Sequence, residues 1–109
     1  MAYDAALAER VRAALVSRSN VVERKMFGGL AFMVSGNMCC GVSNGDLVVR
    51  VGPDSYAAAL EHQHVREMDF TGKPLRGFVY VARDAVADDS QLHSWVERGV
   101  AFAGSLPAK

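Results

Sequence analysis

Short apolar runs in residues 24–51 are separated by Gly-Gly, Ser-Gly-Asn and Asn-Gly-Asp, and the alternation of faces along these runs predicts β-strands. Asn44-Gly45, between two such runs, is the strongest hairpin signal because both residues accept positive φ at little cost. The pattern predicts an antiparallel meander whose first strand lies near residues 23–27. The alternation places three sets of residues on one apolar face: Leu30, Phe32 and Val34; Met38, Cys40 and Val42; Leu47, Val49 and Val51.

Helical periodicity appears before and after this meander. Residues 4–18 repeat apolar side chains at spacings of three and four, and Asp4 is placed to cap their first turn. A short helix is predicted after Gly52-Pro53, ending near residue 62, and a longer one from residues 88–90 to about residue 104. One side of the longer helix carries an apolar stripe: Leu92, Trp95, Val96, Gly99 and Val100.

Residues 66–82 return to extended character, broken at residues 71–74. The strand at residues 78–82 is apolar on both faces, which favours a central place in the sheet. The predicted order is helix, three or four strands, helix, one or two strands, helix. We therefore expect an α+β two-layer sandwich, with a mainly antiparallel sheet covered by N-terminal, middle and C-terminal helices. A single domain spans residues 1–109, with its core at about residues 4–104.

Composition narrows the functional classes. A chain of 109 residues buries roughly two-thirds of its unfolded surface, so no metal or disulfide is needed to hold a core. Formal net charge is zero and no region is strongly basic, so nucleic acid is not expected to be bound by this chain alone. No run approaches the ~20 apolar residues of a membrane span. Charges within the first ten residues argue against a signal peptide, and we expect a cytoplasmic protein.

The candidate reactive groups are two adjacent cysteines and three histidines. Cys39 and Cys40 fall in a predicted strand, where neighbours point to opposite faces and a vicinal disulfide is disfavoured. No CxxC motif or Cys/His cluster is present, so we expect structural cysteines, no metal and no cofactor. His62 and His64 lie at a predicted helix end and are expected on the surface. The alternative is a thiol-dependent enzyme that uses Cys39 or Cys40.

Three segments resemble the N-terminal domain of the TfoX/Sxy family in their order and spacing. They are residues 24–29 (RKMFGG), 47–52 (LVVRVG) and 68–81 (MDFTGKPLRGFVYV), and the resemblance extends over roughly residues 10–100. This family is known for regulators of natural competence, in which the domain acts with the cyclic-AMP receptor protein at certain promoters. The resemblance implies a two-layer α+β sandwich and supplies no catalytic residues. Full-length regulators carry a second, helical domain, and we expect a stand-alone member that lacks it.

The family segments also suggest a recognition surface, formed where the loops at residues 25–29 and 69–76 meet on a rigid scaffold. The polar members of this recognition surface would be Arg24, Lys25, Arg50, Asp69, Lys73 and Arg76. The alternative is that these charges are scattered and only keep the surface solvated.

We therefore expect a non-enzymatic regulatory module that binds a protein partner, with transcription or competence-type regulation as its setting. Two other classes stay open: a small-molecule or anion binder, and a weak nucleic-acid binder. An uncovered sheet edge is also able to pair two chains, so a homodimer is a further expectation.

Overall fold

The computed structural model describes residues 3–18, 20–26, 28–69 and 75–107 of the chain. Its helices and strands follow the predicted order, with a 3₁₀ turn at Arg83–Val86 before the last helix. The elements are α1 (Ala5–Ala14), β1 (Val21–Met26), β2 (Gly29–Val34), β3 (Asn37–Ser43), β4 (Asp46–Arg50), α2 (Tyr56–Leu60), β5 (Val65–Glu67), β6 (Phe78–Val81) and α3 (Asp89–Gly104).

The six strands form one antiparallel sheet in the order β1-β2-β3-β4-β6-β5. The first four strands are a continuous meander, and β6 and β5 extend it at the β4 side. The buried side chains of α1, α2, α3 and the 3₁₀ turn all belong to one core cluster, so the helices lie on one face of the sheet. This arrangement confirms the predicted α+β class. No described helix is long and apolar enough to cross a membrane.

Local capping explains where the two longer helices begin. The Asp4 side chain accepts hydrogen bonds from the amides of Ala6 and Leu7, at 2.9 and 3.1 Å. Asp88 accepts one from the Ser90 amide at 2.9 Å, and α3 starts there as predicted. Each bond satisfies an amide that has no partner within its helix. Helix α1 is shorter than predicted, because a turn replaces its last residues after Ala14.

A β-bulge in β3 changes which side chains reach the helices. Phe32 of β2 pairs with Cys40, whereas the next residue, Met33, pairs with Met38. Cys39 is therefore the extra residue of the bulge, and the alternation of faces is interrupted there. Met38 lies on the face away from the helices, so the prediction that it shares a face with Cys40 is wrong. For the same reason Cys39 and Cys40 lie on one face and not on opposite faces.

Helix α3 crosses the sheet directly over this bulge. A Cβ atom at Gly99 would lie far inside van der Waals distance of the Cys39 carbonyl oxygen, so only glycine allows this approach. The flanking positions of the stripe, Trp95, Val96 and Val100, are buried in the core beneath α3. The predicted stripe is thus confirmed, and Gly99 marks the point where the two layers are closest.

Helix α1 is joined to β1 by an ion pair. The Arg12 guanidinium donates from Nε to Glu23 Oε2 at 2.5 Å and from Nη2 to Oε1 at 2.7 Å. These hydrogen bonds hold the pKa of Glu23 below its usual value and raise that of Arg12. Arg12 also contacts Glu9 of its own helix.

The first prediction concerns the contact between α3 and the bulge. Gly99→Ala should lower the free energy of unfolding by about 1–3 kcal/mol, because a methyl group must displace backbone atoms. Gly104→Ala is the matched control: it lies in the same helix with open space around its Cβ position. It should be neutral or stabilising by up to about 1 kcal/mol. Urea unfolding measures both, and equal effects of the two variants would contradict the close packing.

The second prediction concerns the Arg12–Glu23 pair. Because the pKa of Glu23 is lowered in the folded state, the pair stabilises the fold at pH values above the ordinary pKa of a carboxyl group. That contribution is lost as pH falls through the lowered pKa. Arg12→Met should therefore be less stable than the wild type at pH 7, and the difference should shrink below about pH 4. Thermal unfolding at pH 7 and pH 2.5 tests this, and a constant difference would contradict it.

Candidate functional site

The sheet face away from the helices carries a second apolar cluster. Its buried members are Ala31, Met38, Val48 and Met68, and Met33, Phe78 and Tyr80 pack against them. None of these residues comes from a helix, so we call this surface the helix-free face. With the arginines that flank the cluster, it consists of Arg24, Ala31, Met33, Met38, Val48, Arg50, Arg66, Met68, Phe78 and Tyr80.

One row of paired residues shows how the strands build this face. Strand pairing aligns positions on neighbouring strands, and directly opposed side chains share a face. The row begins and ends with arginine and has small or apolar residues between. From β1 to β5 it contains Arg24, Ala31, Gly41, Val48, Tyr80 and Arg66.

Arg50 lies at the end of the face nearest the C-terminal part of α3. Its guanidinium carbon is 5.3 Å from the centre of the Phe78 ring and 5.2 Å from that of Phe102. Phe102 occupies the space that a side chain at residue 52 would need: a Cβ on Gly52 would be 2.5 Å from its ring. Gly52 also has φ +87°, which favours glycine. The loop after β4 thereby positions Arg50 between two aromatic rings.

Arg66 lies at the opposite edge and is also stacked. Its guanidinium carbon is 4.7 Å from the centre of the Tyr80 ring, and Nη2 donates to Asp46 Oδ2 at 2.6 Å. The hydrogen bond with Asp46 raises the pKa of Arg66. Arg66 and Arg50 are therefore held in place by aromatic and carboxylate contacts and are not free side chains.

Four of the predicted recognition residues are distributed around this face and are not gathered at one point. Arg24 and Arg50 lie on it, separated by the strands β2 and β3. Asp69 and Arg76 are exposed beside Met68 and Leu75, whose backbones are joined by a hydrogen bond of 2.7 Å.

One further predicted residue, Lys25, lies elsewhere. Lys25 opposes Leu30, whose side chain is in the helix-side core, so Lys25 lies on the other side of the sheet from Arg24. Lys73 falls outside the described residues.

Sequence reasoning missed the contribution of Arg66, Phe78 and Tyr80 to this surface. The signal is present in residues 78–82, whose pattern predicts a strand that is apolar on both faces. That pattern does not show that one of those faces has no helix of the described residues over it.

The two cysteines are fully buried beneath α3. Their sulfur atoms are 3.6 Å apart, and neither side chain is exposed. The contact with Cys39 and burial raise the pKa of Cys40 well above its usual value, and the side-chain hydrogen bond between the two thiols lowers the pKa of Cys39. Among the hydrogen bonds of the described residues, none joins either sulfur to an imidazole or a carboxylate. The arrangement therefore offers no accessible nucleophile.

Several cavities open on the helix side, and two of them are lined by residues of α3. The larger, about 600 Å³, lies beside Trp95, whose ring centre is 5.2 Å from that of His62 and 4.4 Å from the guanidinium carbon of Arg98. Asp84 also lines it, so its charges are mixed. The second, about 450 Å³, is lined by the loop at Gly52 and Asp54 and by Phe102. His62 and His64 are exposed, as predicted, and no group of three metal-ligating side chains occurs within the described ranges.

A family model described as the TfoX N-terminal domain matches residues 13–103. The chain belongs to this family. The match includes all six strands of the TfoX N-terminal domain and almost all of α3, so the helix-free face and the bulge both lie within the family region. No curated protein and no solved structure matches the chain.

The third prediction concerns the thiols of this TfoX domain. Neither Cys39 nor Cys40 should react with a thiol reagent at neutral pH while the chain is folded, because both are buried. Both should react within minutes in denaturing urea. Mass spectrometry after a timed iodoacetamide pulse measures the labelling, with a Ser105→Cys variant as an exposed positive control. Rapid labelling of one native thiol in the folded protein would contradict the arrangement.

Proposed function

We propose that this TfoX N-terminal domain is a non-enzymatic module that binds a protein partner through its helix-free face. The observation that supports this most is the composition of that face. It combines three partly exposed methionine and aromatic side chains with three arginines, and these residue types are enriched in protein interfaces. The residues in question are Met33, Phe78, Tyr80, Arg24, Arg50 and Arg66, while Met38 and Met68 of the same cluster are buried.

Charge indicates the kind of partner. Arg24, Arg50 and Arg76 make no ion pair with any of the described residues, whereas Arg66 is paired with Asp46. Arg24 and Arg50 therefore give the face unpaired positive charge around an apolar centre, and Arg76 and Asp69 are exposed beside it. We infer a partner with an acidic rim around exposed apolar side chains, because such a surface complements this one.

Regulation is the setting we propose, since the family includes regulators of competence genes. In that setting the domain acts on transcription through a bound protein and not by contacting DNA itself. A cytoplasmic location belongs to the same proposal, because two unpaired thiols 3.6 Å apart suit a reducing compartment.

The other functional classes have weaker support. A thiol-dependent reaction requires a substrate to reach Cys39 or Cys40, and both side chains are buried. An anion in the larger helix-side cavity would meet Arg98 but also the carboxylate of Asp84. Nucleic-acid bases stack on open aromatic rings, whereas here Phe78 and Tyr80 already carry arginines.

The fourth prediction tests the face by charge reversal. Arg50→Glu with Arg76→Glu should abolish capture of the specific partner from a lysate, or weaken its binding at least about tenfold once it is purified. The matched control is Arg83→Glu with Arg98→Glu, which makes the same change in net charge using residues of the helix layer. Partners are identified by mass spectrometry, and affinities follow from titration calorimetry of the purified pair.

The same design separates the alternatives. Equal loss of binding in both double variants would show that net charge matters and not this face. Nuclease-sensitive capture that falls steeply with added salt would favour nucleic-acid binding. Thermal unfolding of each variant controls for the loss of the stacked Arg50, which we expect to cost about 1 kcal/mol.

A further inference from the structure

Strand β1 is the longer of the two open edges of this sheet. Among the described residues it pairs only with β2, over all six of its positions, whereas the other edge strand, β5, has three residues. Open edges present unpaired amide and carbonyl groups, and native proteins commonly shorten them, cover them or place charged side chains along them. The edge at β5 is short, whereas the edge at β1 is long and carries Glu23, Arg24 and Lys25, so a strand that pairs with it must match these charges.

The unpaired backbone groups of β1 can be assigned from one hydrogen bond. The Ser35 amide donates to the Asn20 carbonyl at 3.1 Å, so the groups of Asn20 point toward β2. Because backbone groups alternate along a strand, those of Val22, Arg24 and Met26 also point toward β2. Those of Val21, Glu23 and Lys25 point outward and are available to another strand.

Exposed apolar side chains concentrate along the same edge. Among the described residues, four large apolar side chains are exposed. Two of them lie on β1: Val22, which is 58% exposed, and Met26, which is 40% exposed. A third, Val16 at 81%, lines the same small cavity as Val21 and Glu23 at the end of α1. An edge strand that must avoid all partners does not usually carry such side chains.

We propose that β1 pairs antiparallel with β1 of a second copy of this chain, in the register centred on Arg24. In this register Glu23, whose carboxylate also accepts hydrogen bonds from Arg12, faces the partner's Lys25, and the reciprocal pair repeats the contact. Val22 faces the partner's Met26, again twice. The outward backbone groups of Glu23 and Lys25 then form the hydrogen-bonded pairs of the new ladder.

Neighbouring registers are less favourable for reasons of charge. A two-fold axis perpendicular to the sheet keeps each side chain on its own face. In every such register one residue of β1 lies at the axis and opposes its own copy, so each register can be named by that residue. Centring on Glu23 opposes two carboxylates, and centring on Lys25 opposes two ammonium groups. Both also place Arg24 against an apolar residue. The register at Arg24 opposes one pair of arginines, whose long side chains diverge on the exposed helix-free face.

Pairing in this way joins two six-stranded sheets into one. Since the axis is perpendicular to the sheet, the helix-free faces of both copies lie on the same side. The dimer would offer a partner two copies of the proposed binding surface, side by side. The dimer itself does not depend on that surface having a protein partner.

Disulfide trapping in the full chain tests the register. Arg24→Cys places two thiols opposite each other at a Cα separation of about 4.5 Å, within disulfide range. Val22→Cys, an exposed control on the same strand, leaves its thiols roughly 13 Å apart. The native thiols are buried and do not contribute. We expect a disulfide-linked dimer from Arg24→Cys and much slower linkage from Val22→Cys. Equal rates would overturn the register, and no linkage would overturn the pairing.

Charge exchange tests the pairing in solution. Lys25→Glu should weaken dimerisation about tenfold, because it opposes two carboxylates twice across the interface. Adding Glu23→Lys should restore dimerisation to within a few-fold of the wild type. Analytical ultracentrifugation over a concentration series measures association, and circular dichroism confirms folding. A wild-type protein that stays monomeric near millimolar concentration, or a Lys25→Glu variant that dimerises normally, would overturn the proposal.

These outcomes are independent of partner binding. Arg50→Glu with Arg76→Glu should leave dimerisation unchanged, since both residues lie on the β4–β6 side of the sheet. Loss of dimerisation in that variant would contradict a contact confined to β1.

Discussion

The contact between Gly99 and the bulge at Cys39 governs how the two layers of this domain fit together. Helix α3 runs so close to β3 that no side chain fits at Gly99. The bulge supplies the backbone on which the helix rests, and Cys39 and Cys40 fill the core beneath it. Each feature needs the other: a regular strand would present a different face, and a bulkier residue in α3 would push the layers apart.

The same bulge gives the sheet a second apolar face. By shifting alternation at one residue, it turns Met38 away from the helices and toward Ala31 and Val48. Without the bulge, Met38 would enter the helix-side core and the opposite face would lose a member of its cluster. The surface that we propose for binding is thus a consequence of how α3 packs on the other side.

Arginines on the helix-free face are positioned by aromatic rings and not only by opposite charge. Arg50 and Arg66 each stack on a residue of β6, which keeps their guanidinium groups close to the sheet. Fixed arginines lose less conformational freedom on binding than solvated ones, so a partner gains more from each contact. In the proposed dimer, two such faces would lie side by side across β1.

The sequence determined the elements of this protein through signals that are local. The cap at Asp4, a cap within residues 88–90, the Asn44-Gly45 hairpin and the stripe on α3 each depend on residues close in the chain, and all were predicted correctly. The family followed from motifs in three segments. The side of the sheet to which Met38 and Cys39 belong did not follow, since a bulge depends on pairing between strands that alternation alone does not encode. The placement of Arg66 on Tyr80, the absence of a described helix over one face, and the open edge at β1 are decided by strand order. Strand order brings distant segments together, and only the tertiary structure contains that information.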